Sequence, residues 1–95
     1  MRILVIEDDR KTSDFIVKGL KESGFAVDSA DNGRDGLVQA AAYDYDLLVV
    51  DLMLPGIGGL DIIESTRKEK SNLPIIILSA KHSTDDKIKG LNLGA

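Results

Sequence analysis

The sequence predicts an α/β fold built on a parallel sheet, and three observations carry that prediction. Short aliphatic runs recur along the chain, among them Ile3-Leu4-Val5-Ile6, Leu47-Leu48-Val49-Val50 and Ile75-Ile76-Ile77-Leu78. Apolar character without alternation marks strands buried on both faces, the condition of parallel sheets. Segments with helical spacing separate these runs, and β–α alternation implies right-handed crossovers. Carboxylates follow two of the runs directly, as Glu7-Asp8-Asp9 and as Asp51. Open α/β sheets bind ligands at the carboxyl ends of their strands.

Taken in order, the first strand is expected over residues 3–6. Asp9 can then N-cap a first helix, with Gly24 where its C′ residue should stand. Within it Ile16 and Leu20 lie four apart, as do Phe15 and Gly19. A second strand is expected over residues 26–30. Asp31-Asn32-Gly33 turns into a second helix, with Leu37, Ala40 and Ala41 at i, i+3 and i+4. The third strand covers residues 47–50 and delivers Asp51 to its end. A third helix follows in which Leu60 and Ile63 share a face, and Asn72-Leu73-Pro74 stops it. Pro74 is tolerated at the first position of the fourth strand, residues 75–79. Ser83-x-x-Asp86 reads as a capping box for a fourth helix, with Ile88 and Leu91 on one face.

Composition narrows the function. Ninety-five residues make one domain at most, with a hydrophobic fraction of 43% and a charged fraction of 29%. No apolar run approaches the length needed to span a bilayer, and Met1-Arg2-Ile3 enters a strand with no signal-peptide pattern. A chain without cysteine excludes disulfides and Cys-type zinc sites, and cytoplasmic localisation is the expectation. The net charge of −4, with two Phe, two Tyr and no Trp, argues against direct nucleic-acid binding by this segment.

The acidic groups are the chemical signal. Glu7, Asp8 and Asp51 at two strand ends would repel one another unless a cation or proton joined them. A hard cation with oxygen ligands such as Mg²⁺ is the natural occupant. The competing reading is helix caps and solvated acids, and it takes Asp9. Ser79, closing the fourth strand, can donate a hydrogen bond to an anion in the same crevice. Gly56-Ile57-Gly58-Gly59 imitates a dinucleotide fingerprint, but Asp61 stands where the third Gly is needed, and there is no Walker A sequence. His82, the single histidine, sits in a polar stretch that reads as exposed, so no Ser–His–acid triad is supported. The Lys and Arg residues read as solvated helix faces. A phosphohydrolase with an aspartyl nucleophile is the rival enzyme class, yet Met53 occupies the place two after Asp51 where a second Asp is wanted. A non-phosphorylated interaction domain is the third class.

Together, Ile-Leu-Val-Ile-Glu-Asp-Asp over residues 3–9, Asp51-Leu-Met-Leu-Pro with Gly59, and Leu78-Ser79-Ala80 resemble the receiver domain of bacterial two-component response regulators. Residues 90–95 resemble its winged-helix (OmpR/PhoB-type) subfamily, and Lys11-Thr12, Lys18-Gly19-Leu20 and Tyr45-Asp46-Leu47 resemble heavy-metal-response members. The resemblance implies a flavodoxin-like sheet of order 2-1-3-4-5, an order for which a receiver protein is the standard illustration. It implies that Asp51 accepts a phosphoryl group from a sensor histidine kinase. Glu7 and Asp8 would form the acidic pocket, with Asp8, Asp51 and the backbone carbonyl of Met53 on Mg²⁺ and Ser79 as switch hydroxyl. The side chains of Met53 and Lys81 are expected to tune hydrolysis.

It further implies phosphorylation-dependent homodimers, and DNA binding through a C-terminal domain that is not in these residues. The family's fifth strand, its Lys and its fifth helix would lie beyond Ala95. Residues 1–95 are therefore expected to be a C-terminally incomplete receiver domain from a longer protein. A chain ending there is expected to phosphorylate weakly and to self-associate or swap through its aliphatic fourth strand.

Overall fold

The computed structural model describes residues 1–78. The elements run β1 (Arg2–Ile6), α1 (Arg10–Glu22), β2 (Ala26–Ala30), α2 (Gly33–Ala42), β3 (Leu47–Asp51), α3 (Gly59–Glu69) and β4 (Ile75–Leu78). The strands are all parallel, in the order β2-β1-β3-β4. These are the first four places of the expected order. The expectations for Ser79, Lys81, His82 and the fourth helix fall outside the described residues.

Side-chain alternation along β1 divides the core in two. Leu4 and Ile6 join Leu48, Val50, Ile62 and Leu73 on one face, with Leu37 and Ala40 from α2. Ile3 and Val5 join Val49, Leu78 and Ile16 on the other, with Val17 and Leu20 packed against them. Helix α1 thus covers one face of the sheet, and α2 with α3 the other. Central strands with helices on both sides must be apolar throughout, which is why β1 and β3 lack polar alternation.

The helix boundaries follow local chemistry. The Asp9 carboxylate caps α1, accepting from the Thr12 N–H at 3.0 Å. Gly24, with φ +95°, takes the left-handed conformation that ends the helix. Asn32 caps α2 through Oδ1, which accepts the Asp35 N–H at 2.8 Å.

Three expected helix faces are corrected. On α1 the expected Ile16 and Leu20 do face the core, but Phe15 and Gly19 are exposed, and Thr12 is buried beside Ile16. On α2, Ala41 is exposed while Gly36 and Ala40 are buried, because Gly36 sits over the Ile6 side chain where a Cβ would come within 2.6 Å. On α3, Leu60 is 67% exposed and the buried stripe is Gly59, Ile62 and Thr66. Close helix–sheet approach selects small residues, which a count of large apolar side chains overlooks.

Two long basic side chains stitch the lower connections. Lys70 Nζ donates to the Ala40 and Tyr43 carbonyls at 2.7 and 2.8 Å, satisfying acceptors at the end of α2. Arg67 donates to the Leu73 carbonyl and so closes the turn from α3 to β4. Both residues had read as solvated.

Candidate functional site

Strands β1 and β3 are adjacent and in register, with Ile6 beside Val50. The residues after Ile6 and the residue that ends β3 therefore emerge side by side. Asp51 is fully buried and Glu7 is 1% exposed, whereas Asp8 is exposed. One carboxylate oxygen from each of Glu7, Asp8 and Asp51 lies within 4.8 Å of the other two. Two strand ends thus deliver three acids to one point, as their positions in the sequence had suggested.

Backbone contacts fix the pieces. The Glu7 N–H donates to the Ala30 carbonyl at 3.1 Å, tying the end of β1 to the end of β2. The Met53 N–H donates to Asp51 Oδ1 at 2.9 Å, a side-chain turn that orients the carboxylate. The sequence reading had singled out the Met53 carbonyl. Its N–H went unremarked, although an Asp two residues before a loop amide is the signal for such a turn. Gly59 permits the next contact: a Cβ there would stand 2.4 Å from the Asp51 carbonyl oxygen and 2.7 Å from the Leu52 Cα. Only glycine lets α3 start against the end of β3 in this way. At Gly33 a Cβ would fall 2.3 Å from the Ile57 carbonyl, so the start of α2 rests on the same loop.

A cleft of about 270 Å³ opens beside the acids, between the start of α1 and the end of β2. Glu7, Asp8, Arg10 and Ser13 line one side, and Ser29 and Asp31 the other. Mutual repulsion at these separations is relieved by a cation or a proton. A donor set made only of carboxylate oxygens fits a hard divalent ion such as Mg²⁺. Among the described residues, Glu7, Asp8 and Asp51 are the group of acids so placed.

The opposite end of the sheet carries a second polar constellation, which the sequence reading missed. Arg2 Nε and Nη2 donate to Asp28 Oδ2 at 3.0 and 2.8 Å, and the Tyr45 hydroxyl donates to the same oxygen at 2.7 Å. The guanidinium lies over the Tyr43 and Tyr45 rings, 4.8 and 5.3 Å from their centroids. The Tyr45 hydroxyl bond and the Arg2 guanidinium hold the Asp28 carboxyl below its usual range. Burial and the bond to Asp28 push Tyr45 up to about 12. This end stores matched charge.

The chain resembles known proteins along its length. The response regulator receiver domain family matches residues 3–95. The transcriptional regulatory protein CusR of Escherichia coli (strain K12) is 44% identical over all 95 residues, and the probable transcriptional regulatory protein SilR of Salmonella typhimurium is 45% identical over the same span. The chain covers 42% of the length of each. The solved structure of the response regulator TrrA from Thermotoga maritima, in complex with Mg²⁺ and BeF, has a TM-score of 0.80 at 36% identity, covering 84% of this chain and 70% of that one. TrrA in complex with the histidine kinase ThkA has a TM-score of 0.78 at 35% identity, covering 86% of this chain and 71% of that one. Family match, sheet order and the acids at adjoining strand ends agree, and the chain belongs to the response regulator receiver domain family.

Proposed function

We propose that Asp51 is the phosphoacceptor of a two-component signalling protein and that Glu7, Asp8 and Asp51 form its Mg²⁺ pocket. One observation carries this reading: a buried carboxylate at the end of β3 lies within 4.8 Å of two others from the β1 end. The donor is a phosphohistidine of a sensor kinase. An Asp51 oxygen attacks phosphorus, the P–N bond breaks, and the imidazole leaves with the bonding electron pair. The product is an acyl phosphate on Asp51. The Met53 N–H on Asp51 Oδ1 holds the carboxylate in one orientation, which is most of what phosphoryl transfer asks of a protein.

Asp8, Asp51 and the Met53 carbonyl would hold Mg²⁺, with Glu7 completing the acidic pocket. Bound there, the ion would supply neutralisation of the charge that the acids and the incoming phosphoryl group share. Ser79 would donate its hydroxyl to a phosphoryl oxygen, biasing a two-state equilibrium. The domain is a signalling module that speeds at most its own phosphorylation and hydrolysis. In the whole regulator, cytoplasmic by this proposal, the switch would drive dimerisation and DNA binding through a separate domain. The names of its relatives and the TrrA structures support this reading. Among the described residues, no helix is long and apolar enough to cross a membrane.

Intact mass spectrometry with acetyl phosphate tests it. Gain of one phosphoryl group that requires both Mg²⁺ and Asp51, and is lost in Asp51→Asn, is expected. Labelling that survives Asp51→Asn would overturn the assignment. No labelling of a longer chain at any Mg²⁺ concentration would favour a non-phosphorylated interaction domain, whereas no labelling of residues 1–95 alone would point to the missing Lys and fifth strand.

A further inference from the structure

Three acids stand in a row at the end of β1, and only two of them belong to the carboxylate cluster. Asp9 is turned to other work. Its Oδ2 accepts from both the N–H and the hydroxyl of Thr12, and Thr12 is fully buried. Its carbonyl accepts from the Ser13 N–H at 2.9 Å, beginning α1. On the other side of Asp8, the Glu7 N–H is tied to the Ala30 carbonyl at 3.1 Å. Asp8 is therefore the single residue between two anchored neighbours, one fastened to β2 and the other to the first turn of α1. Unlike Glu7 and Asp51, Asp8 is exposed, so packing constrains its side chain least.

We infer that Asp9 is a positioning residue for the cation site: its bonds to Thr12 fix the backbone from which Asp8 reaches the ion. This rests on the Mg²⁺ pocket proposed above. A carboxylate that must meet two partners within 4.8 Å gains affinity from being held in place beforehand. Groups that orient metal ligands in this way typically change affinity by about 10- to 100-fold when removed. Asp9 also carries charge, which would attract a cation whatever it bonds to. The two contributions separate by substitution and by salt. Asn keeps an oxygen for the Thr12 N–H and loses the charge. Gly loses the side-chain bonds and is still tolerated as a helix N-cap. At an ionic strength of about 1 M the Debye length falls to about 3 Å, suppressing attraction from a charge outside the cluster.

The experiment is a Mg²⁺ titration of the wild-type chain, Asp9→Asn, Asp9→Ala and Asp9→Gly at that ionic strength. It is followed by amide NMR shifts at residues 7–9 and 51–53, with circular dichroism to confirm that each folds. Asp9→Asn is expected within about twofold of wild type, and Asp9→Ala and Asp9→Gly about tenfold weaker. Should Asp9→Ala not fold, Asp9→Gly decides. Folded Gly binding as tightly as wild type would overturn the inference, as would Asn binding as weakly as Gly, which would make charge the cause. Wild-type protein that shows no saturable Mg²⁺ shifts, or shifts indifferent to Asp8→Asn, would instead overturn the pocket itself.

Discussion

Replacing Asp51 with Asn should stabilise the fold while abolishing phosphorylation, and the size of the gain can be worked from the carboxylate separations. Oxygens of Glu7, Asp8 and Asp51 lie within 4.8 Å of one another. At that distance a pair of unit charges repels by about 0.9 kcal/mol in bulk water and about 3.5 kcal/mol at an effective dielectric constant of 20. Neutralising Asp51 removes two such pairs. Asp8 faces solvent, so a gain of about 2–3 kcal/mol is expected, near the lower limit. Asn retains an oxygen for the Met53 N–H. For a domain of this size the gain corresponds to a melting temperature about 10–20 °C higher.

Thermal unfolding followed by circular dichroism, at neutral pH, low salt and with chelator present, measures it. Saturating Mg²⁺ should then narrow the gap, because the ion binds the native wild type and adds stability in proportion to its occupancy. An Asp51→Asn variant melting at or below wild type in chelator would refute the reasoning. So would Mg²⁺ stabilising the variant as much as the wild type.

Other consequences are independent of that repulsion. Gly59→Ala forces a methyl against the Asp51 and Leu52 backbone, and should cost about 1–3 kcal/mol of stability and lower Asp51 labelling. Gly19→Ala adds a methyl where nothing lies within 4 Å, in an exposed helix interior, and should stabilise by about 0.5–1 kcal/mol; denaturant midpoints measure both. Lys70→Met leaves the Ala40 and Tyr43 carbonyls without their donor and should cost about 1–2 kcal/mol, while Mg²⁺ affinity at the far end of the sheet stays unchanged. Tyr45 should ionise at about 12, seen as an ultraviolet absorbance step that Tyr45→Phe removes. Its folded value lies above the ordinary 10.0, so its contribution to stability is complete below pH 10 and lost between about 10 and 12. Asp28, held low, acts in the opposite sense: its contribution is present above about pH 4 and lost as pH falls through its folded value.

What could be read from the sequence divides by the range of the interaction involved. The strands were legible because burial on both faces leaves continuous aliphatic runs, and β2 matched residues 26–30 at both ends. The cap at Asp9 was legible because it bonds within three residues, and Asn32 was read only as part of a turn although it caps α2 over the same span. Glu7, Asp8 and Asp51 were legible because a strand end fixes where a residue goes without knowledge of its partners. Helix faces were less so. Leu60 is exposed while Thr66 is buried, since α3 lies against the sheet through small residues. The Arg2–Asp28–Tyr45 cluster and the Lys70 tether were invisible, because they join residues 17 to 30 apart through flexible side chains that leave no spacing pattern. Asp28, a carboxylate in the middle of a strand, was the one local hint that such a partner existed.

The two ends of the sheet explain each other. Like charges within 4.8 Å of one another favour motions that separate them wherever the repulsion is not offset. On the proposed function, the domain would have to tolerate that repulsion until a cation and a phosphoryl group arrive. Its restraints act on the backbone beside the acids and on side chains at the opposite end of the sheet. Gly59 seats α3 on the Asp51–Leu52 peptide, Lys70 closes α2, and Arg2 with Tyr45 fastens β1 to β2 and to the entry of β3. None of these groups needs to change when the charge at Asp51 changes. Relief of repulsion would then be expressed at the exposed side chains of Asp8 and Met53. On the proposed function, that arrangement would turn a local change of charge into a change of surface without loosening the core.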